Sequence, residues 1–580
     1  AFFAGSRPRL NMQIDGRTSS YNELAFGTKS LWDMKQVEIY RGAQSYAQGR
    51  NAIAGAVVMT SNDPTQEWEG AAKLNMGNHR LAQTAALISG PIVKDELAFR
   101  LSVDHQQRET AVDLPHYDPV GNPRWFKATN TRAKLLWTPS ALPDLYSRLT
   151  FNHLNARAPQ SETELQPNSP RYTPERPVFQ TRSASTIWDI GYQLSDRWKW
   201  ENKLVYTHFI HDRKTTSPFN TALPPNRRGV PARVDGNEFQ IEPIVKYESE
   251  KYRGLFGLFY FNAKQDESVT MLNGRIARTP ITTNFNDKTK TKAAFGEITF
   301  TPDIPFELTL SARYEQEHLQ RKGKSAMFSI NRDKKYNVFL PKADIAWKIN
   351  DDQRLGFKVG KGYNPGGAGV TFGVPYTSYE YDAEYVWNYE LYHRWTSADK
   401  RLRINSNLFY NDYKDMQLPF TLGPNSIVIR NADKVVTYGA EINTEWQATE
   451  KLVLNAGIGM LKTDIKRYPN SGIEGNKLAR APSFSGKVGA NYRLLDHLEI
   501  GTNYSYNSSY YSTADNLANG KVGHYDQLDV YLAYDFKHAR ITLYADNVLN
   551  SRKDILLVPR SGDITRQPER QIGLSTELRF

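Results

Sequence analysis

Gln571-Ile572-Gly573-Leu574-Ser575-Thr576-Glu577-Leu578-Arg579-Phe580 alternates without a break. Ile572, Leu574, Thr576, Leu578 and Phe580 fall on one face, and Gln571, Gly573, Ser575, Glu577 and Arg579 on the other. Period two with a polar opposite face predicts a β-strand with one apolar side. The pattern recurs upstream. Leu452, Leu454, Ala456, Ile458 and Met460 share a face, as do Leu528, Val530, Leu532, Tyr534 and Phe536. Leu402, Ile404, Leu408 and Tyr410 repeat it opposite Arg403, Asn405 and Asn407.

The apolar side must meet either a second sheet or lipid. A chain of 580 residues is too long for one sandwich core. Lipid requires strands of about 9–11 residues and a closed sheet, because an open edge in hydrocarbon leaves backbone groups unpaired. Trp137, Trp188, Trp198, Trp200, Trp347, Trp387 and Trp395 sit towards segment ends, where indoles suit the headgroup boundary. Half-apolar strands also explain a chain only 39% hydrophobic yet 12% aromatic. No apolar run approaches the ~18 residues of a helical span. The expectation is an all-β protein, a transmembrane antiparallel β-barrel. Dividing residues 65–580 at roughly 23 per strand and connection gives about 22 strands. Segments near 105–125, 156–180, 211–236, 265–292, 317–337, 361–382, 415–435, 462–482 and 507–524 read as long loops gathered on one rim.

Residues 1–64 differ. They are rich in Gly and small residues, with short strands at Asn11–Ile14, Val37–Tyr40 and Ala56–Thr60. So wide a barrel has a lumen that must be filled or leak. Residues 1–64 are therefore read as the C-terminal part of a plug, and 65–580 as the barrel with long extracellular loops. Gly42, Gly49 and Gly55 read as plug turns that need backbone freedom. They are no phosphate loop, since the Lys-Ser/Thr ending is missing.

The formal net charge of +12 is spread among interspersed acids and bases, without a basic arm or zinc-finger spacing. That disfavours nucleic acid and favours an anionic ligand. The histidines are scattered; His208 and His211 lack a third ligand, so no metal site is expected in the protein. Nucleophile elbow, carboxylate pair and cysteine are all missing, which argues against an enzyme.

Lys35 to Val57, with Arg41-Gly42 and Gly49-Arg50-Asn51-Ala52, resembles the plug of the TonB-dependent outer-membrane receptors. Ile88–Arg100 resembles their early hairpin. Lys361–Gly367 with Glu384–Leu391 resembles their mid-barrel signature, most like ferric-siderophore receptors. Tyr438–Ile442 and the final aromatic strand match too. The resemblance implies energised uptake across the Gram-negative outer membrane by a monomer. Its partners would be a ferric siderophore, the TonB-ExbB-ExbD complex, outer-membrane lipid and lipopolysaccharide, with the loops open to a bacteriocin or phage. No cofactor is implied, iron being carried inside the siderophore. Haem, cobalamin, another chelate or a sugar remain alternative cargoes, and a passive porin-like channel an alternative mode. The family's upstream plug half and TonB box are not seen, and are expected to precede residue 1. The resemblance further implies a plug-barrel latch of Arg41 and Arg50 with Glu384, Glu390 and Glu441. It places the plug apex near Phe3, Arg7 and Arg9, where arginine could hold an anionic chelate and an aromatic ring could stack on it.

Overall fold

The computed structural model describes residues 7–27, 29–166, 173–272, 279–424 and 426–580. Twenty-two strands, from Glu69–Gly77 to Gln571–Arg579, form one closed barrel in which every neighbouring pair is antiparallel. The seam joins the first strand to the last, from Gly77 opposite Gly573 to Ala71 opposite Arg579. Phe580 extends it: Gly70 N donates to Phe580 O at 2.9 Å and Phe580 N to Gly70 O at 3.0 Å. The Phe580 ring lies over Gly70 so closely that a Cβ there would come within 2.3 Å of it.

Polarity across the wall is inverted relative to a water-soluble protein. On Phe306–Lys324, Leu308, Leu310 and Tyr314 are exposed, whereas Ser311, Arg313, Glu315 and Glu317 are buried. Apolar outside and charged inside is what lipid and a wet lumen select. Aromatic pairs mark one edge of the lipid-facing band: Trp198 with Tyr247, Tyr252 with Phe300, and Phe306 with Trp347, at ring separations of 4.8, 5.0 and 6.3 Å. No helix is long and apolar enough to cross a membrane; the crossings are made by strands.

Connections differ between the rims. One carries short turns, such as 249–251, 351–352 and 496–497; the other carries 110–124, 365–383 and 547–570. The long-connection rim is the outer one. Three of the expected loops are instead ladder. Most of the described residues near 265–292, 317–337 and 415–435 belong to the paired strands Tyr252–Leu272 with Pro280–Phe300, Phe306–Lys324 with Ser329–Asn350, and Leu402–Gly423 with Ser426–Gln447. Above the lipid both faces of these strands are wet, so the alternation that reveals a strand fades while the backbone pairing continues.

The N-terminal segment folds as a separate sheet. β1 (Leu10–Ile14), β2 (Arg17–Thr18), β3 (Met34–Arg41) and β4 (Gly55–Ser61) lie in the order β2-β1-β4-β3, with β1 and β4 parallel. Asp15 and Gly16 both have positive φ, 53° and 91°, which closes the tight turn from β1 to β2. Helix α1 (Tyr21–Phe26) starts at a capping box between Ser20 and Glu23; α2 (Ser45–Gln48) is a single turn. Gly42 and Gly49 have φ of 77° and 72°, and at Gly55, with φ 156°, a Cβ would meet Tyr40 O at 2.6 Å. These turns are conformational requirements.

The sheet touches the wall on several sides. Phe26 stacks on Phe179 at 3.9 Å. Trp32 packs on Ala71, Ala85 and Leu87; Ala43 and Ile53 pack on Val386 and Tyr413; Tyr46 joins Val338, Leu340 and Tyr363. These contacts reach strands around the circumference, so residues 7–61 occupy the lumen.

Candidate functional site

Two sets of ion pairs fasten the lumenal sheet, and their polarity is opposite. Near the short-turn ends of their strands, wall cations hold plug acids. Arg100 grips Asp33 with two nitrogens, Nε to Oδ2 at 2.8 Å and Nη2 to Oδ1 at 2.5 Å. Lys134 Nζ lies 3.1 Å and Arg148 Nε 2.9 Å from Asp63 Oδ1, and Lys134 also donates to Ser61 Oγ at 2.7 Å. In the outer half the signs exchange. Arg7 Nη1 meets Glu317 Oε2 at 3.0 Å, and Glu317 accepts further bonds from Thr291 Oγ1 at 2.8 Å and Tyr363 OH at 3.1 Å. Arg9 pairs with Glu384, which also accepts from Asn364 Nδ2 at 3.3 Å and Gln417 N at 2.9 Å. Each buried carboxylate thus has several donors, the condition under which a buried charge is tolerable.

Between the sheet and the outer half of the wall lies a cavity of about 160 Å³. Arg7, Arg50, Arg321 and Arg332 line it against the acids Glu238 and Asp287, with His211 and Ser19 on the same wall. Arg321 is matched, by Asp287 at 2.7 Å and Glu267 at 3.3 Å. Arg332 takes Tyr336 OH at 2.8 Å and the more distant Glu380 at 3.9 Å. Arg50 is different. No ion pair engages it among the described residues; its guanidinium sits over the Phe261 ring at 3.8 Å and its Nε has no hydrogen-bond partner. Desolvation in the lumen, with Arg7 close by, lowers its pKa to about 10.

The residues singled out in the sequence are distributed as follows. Arg41 and Glu441 do pair, on a largely open surface with side chains 60% and 25% exposed. Glu384 faces the plug, but its partner is Arg9, which immediately precedes β1. Glu390 bonds within the wall, to Lys358 at 3.1 Å and Asn407 at 2.7 Å. Arg50 joins none of the three. Arg7 lines the cavity while paired; Arg9 is a fastening; Phe3 lies outside the described residues. The sequence reading passed over Glu317, Arg321 and Arg332, and the inner set Asp33, Asp63, Arg100 and Lys134. A signal existed for some: Arg313, Glu315, Glu317 and Arg321 alternate with Leu310, Ala312 and Tyr314, marking a charged lumenal face. Among the described residues, no group of three or more His, Cys, Asp or Glu is placed to hold a metal ion.

A closed strand barrel with an apolar exterior, filled by its own N-terminal sheet and carrying an arginine-lined cavity below its outer rim, is a receptor barrel of the outer membrane. Residues 127–550 match the family described as TonB dependent receptor-like, beta-barrel, and the chain belongs to the TonB-dependent receptor family, a non-catalytic class. Among curated relatives, the pesticin receptor of Yersinia pestis is 20% identical over 607 aligned positions, covering 99% of this chain and 84% of that one. The ferrioxamine B receptor of Salmonella typhimurium is 23% identical over 34% of this chain and 28% of its own. The solved ferric yersiniabactin uptake receptor of Yersinia pestis superposes with a TM-score of 0.83 at 18% identity, covering 99% of this chain and 89% of that structure. The siderophore receptor PiuA of Acinetobacter baumannii gives 0.78 at 14%, covering 99% and 92%. A copper transporter, OprC, gives 0.77 at 13%, covering 99% and 90%. At such identities the likeness is one of fold.

Proposed function

We propose that this chain imports a ferric siderophore of net negative charge, with force supplied by the TonB-ExbB-ExbD complex acting on the lumenal sheet. The cavity carries the reading. It lies in the outer half of the lumen and presents Arg50, which forms no ion pair among the described residues, beside Arg7, Arg321 and Arg332. A low-dielectric cleft with excess positive charge concentrates anions and rewards their binding. Relatives named for pesticin, ferric yersiniabactin and ferrioxamine B favour an iron chelate. A copper transporter shares the fold at a TM-score of 0.77, so the barrel alone does not select the metal and the cavity's charge is the stronger guide. Residues 1–64 act here as the moving plug, with Arg7 and Arg50 as ligand contacts. Arg9 with Glu384 and Arg41 with Glu441 act as fastenings, and Glu390 as a support of the wall.

The test is binding of ferric chelates of opposite charge to the purified receptor, followed by tryptophan quenching. An anionic tris-catecholate complex should bind, and should do so far more tightly than a cationic trihydroxamate complex. Equal affinities, or preference for the cation, would overturn the reading. Accumulation of labelled iron in iron-starved cells, with and without a functional TonB, then separates energised import from passive leakage.

A further inference from the structure

The cavity beside Arg50 is short of partners of both kinds. Seven buried side-chain atoms on its lining have no hydrogen-bond partner among the described residues. Three are donors: Nη2 of Arg7, Nε of Arg50 and Nε of Arg321. Three are acceptors: the amide oxygens of Asn22 and Asn51, and Oδ1 of Asp287. The seventh is Nδ1 of His211, whose Nε2 is engaged with Ser20 Oγ at 3.2 Å. Buried polar atoms are rarely left unpaired, and a group of them round one void points to a ligand. Plug and wall both contribute, so that ligand would bridge them.

Asp287 decides its chemistry. An Asn amide can turn to offer N–H instead of oxygen, whereas a carboxylate only accepts. Both donors that reach Asp287, Arg321 Nη1 at 2.7 Å and Gln265 Nε2 at 3.1 Å, go to Oδ2. Burial, with Glu267 close by, holds the Asp287 carboxyl above its usual range in spite of Arg321, so it is short of positive neighbours. On the same lining Arg50 sits over Phe261 with no ion pair among the described residues. A purely anionic group would satisfy the arginines and leave Oδ1 of Asp287 facing like charge; a simple cation would do the reverse. Size sets a second limit. The cavity measures about 160 Å³, and one of about 150 Å³ admits a benzene-sized group. One compact arm enters, not a whole chelate. We propose that this cavity binds a zwitterionic α-amino-acid terminus of the cargo, its carboxylate on Arg7 and Arg50 and its ammonium on Asp287. That the terminus belongs to a ferric chelate rests on the function proposed above; the two-signed site stands on the cavity's own atoms.

The experiment titrates the full receptor with three ferric chelates that differ at one terminus only, followed by tryptophan quenching. One ends in a free α-amino acid, one in its N-acetylated form and one in its primary amide. The free form should bind at least tenfold more tightly than either. The N-acetylated chelate carries one more negative charge, so it would bind best if the cavity responded to net charge alone. Equal or tighter binding of that chelate overturns the two-signed site and leaves anionic import standing. Equal or tighter binding of the amide overturns the site as well. If none of the three binds, chelate import fails, and a second arm still decides the site: saturation-transfer NMR of the receptor with L-alanine, propionate and ethylamine. Transfer to alanine alone is expected. No transfer to alanine, or equal transfer to propionate or ethylamine, would overturn the proposal. In Asp287→Asn the free-amino-acid chelate should lose at least ten times more affinity than the N-acetylated one. Equal losses would make Asp287 a support of Arg321 and would remove it from the site.

Discussion

The inner and outer fastenings of the lumenal sheet use the same chemistry with the charges exchanged, and they differ most in how open they are. At the inner set, Arg100 and Asp33 are 5% and 1% exposed, so both members of that pair are sealed, while the neighbouring Asp63 keeps 40%. At the outer set only the carboxylates are: Glu317 and Glu384 have no exposed side-chain surface, while Arg7 and Arg9 keep 13% and 32%. A sealed bidentate pair resists solvent and salt; a pair open on its cationic side can be approached by another anion. The sheet is thus held firmly at its inner end and responsively at its outer end, where the cavity lies.

Substitutions can break this contrast, beginning with the largest effect. Arg100→Ala leaves Asp33 buried without its partner and should weaken plug anchorage by ~3–5 kcal/mol. The readout is a lowered urea midpoint for plug release together with larger single-channel conductance; wild-type conductance would contradict the sealed inner joint. Glu317→Ala leaves Arg7 in the lumen without its partner, and should cost ~2–3 kcal/mol in the same titration. Arg50→Met sharpens the comparison from the other side. Removing an unmatched cation should leave plug release unchanged while anionic chelate affinity falls at least tenfold, about 1.4 kcal/mol. Parallel loss of both would make Arg50 a fastening instead. Smallest is Arg41→Ala. Its pair with Glu441 is mostly in water, so plug release should shift by no more than ~0.5 kcal/mol.

The barrel was legible because lipid enforces alternation: Ile572 to Phe580, Leu452 to Met460 and Leu528 to Phe536 all read correctly as strands with an apolar side. It stopped being legible where lipid stops. Asn284, Asn286, Lys288 and Lys290 point outward into water, and with polar residues on both faces the ladder looks like loop. The fastenings were harder still. Arg9 and Glu384 lie 375 residues apart, and which wall acid meets which plug arginine depends on barrel closure and on the plug's rotation within it. Neither is written in local pattern. Arg50 shows the limit best: its charge and place in the plug motif were visible, but an aromatic seat at Phe261 instead of a carboxylate was not.

The seam of the barrel sets the order in which this molecule can be put together. Glu69–Gly77 must wait for Gln571–Arg579, some of the most distant partners in the chain, so the sheet exists first as an open curved ribbon. Asp33 and Asp63 attach to strands beginning at Leu97, Trp125 and Leu145, all near one edge of that ribbon. The inner fastenings of the plug thus gather beside the seam on its N-terminal side, while Glu317 and Glu384 hold it from strands farther round the wall.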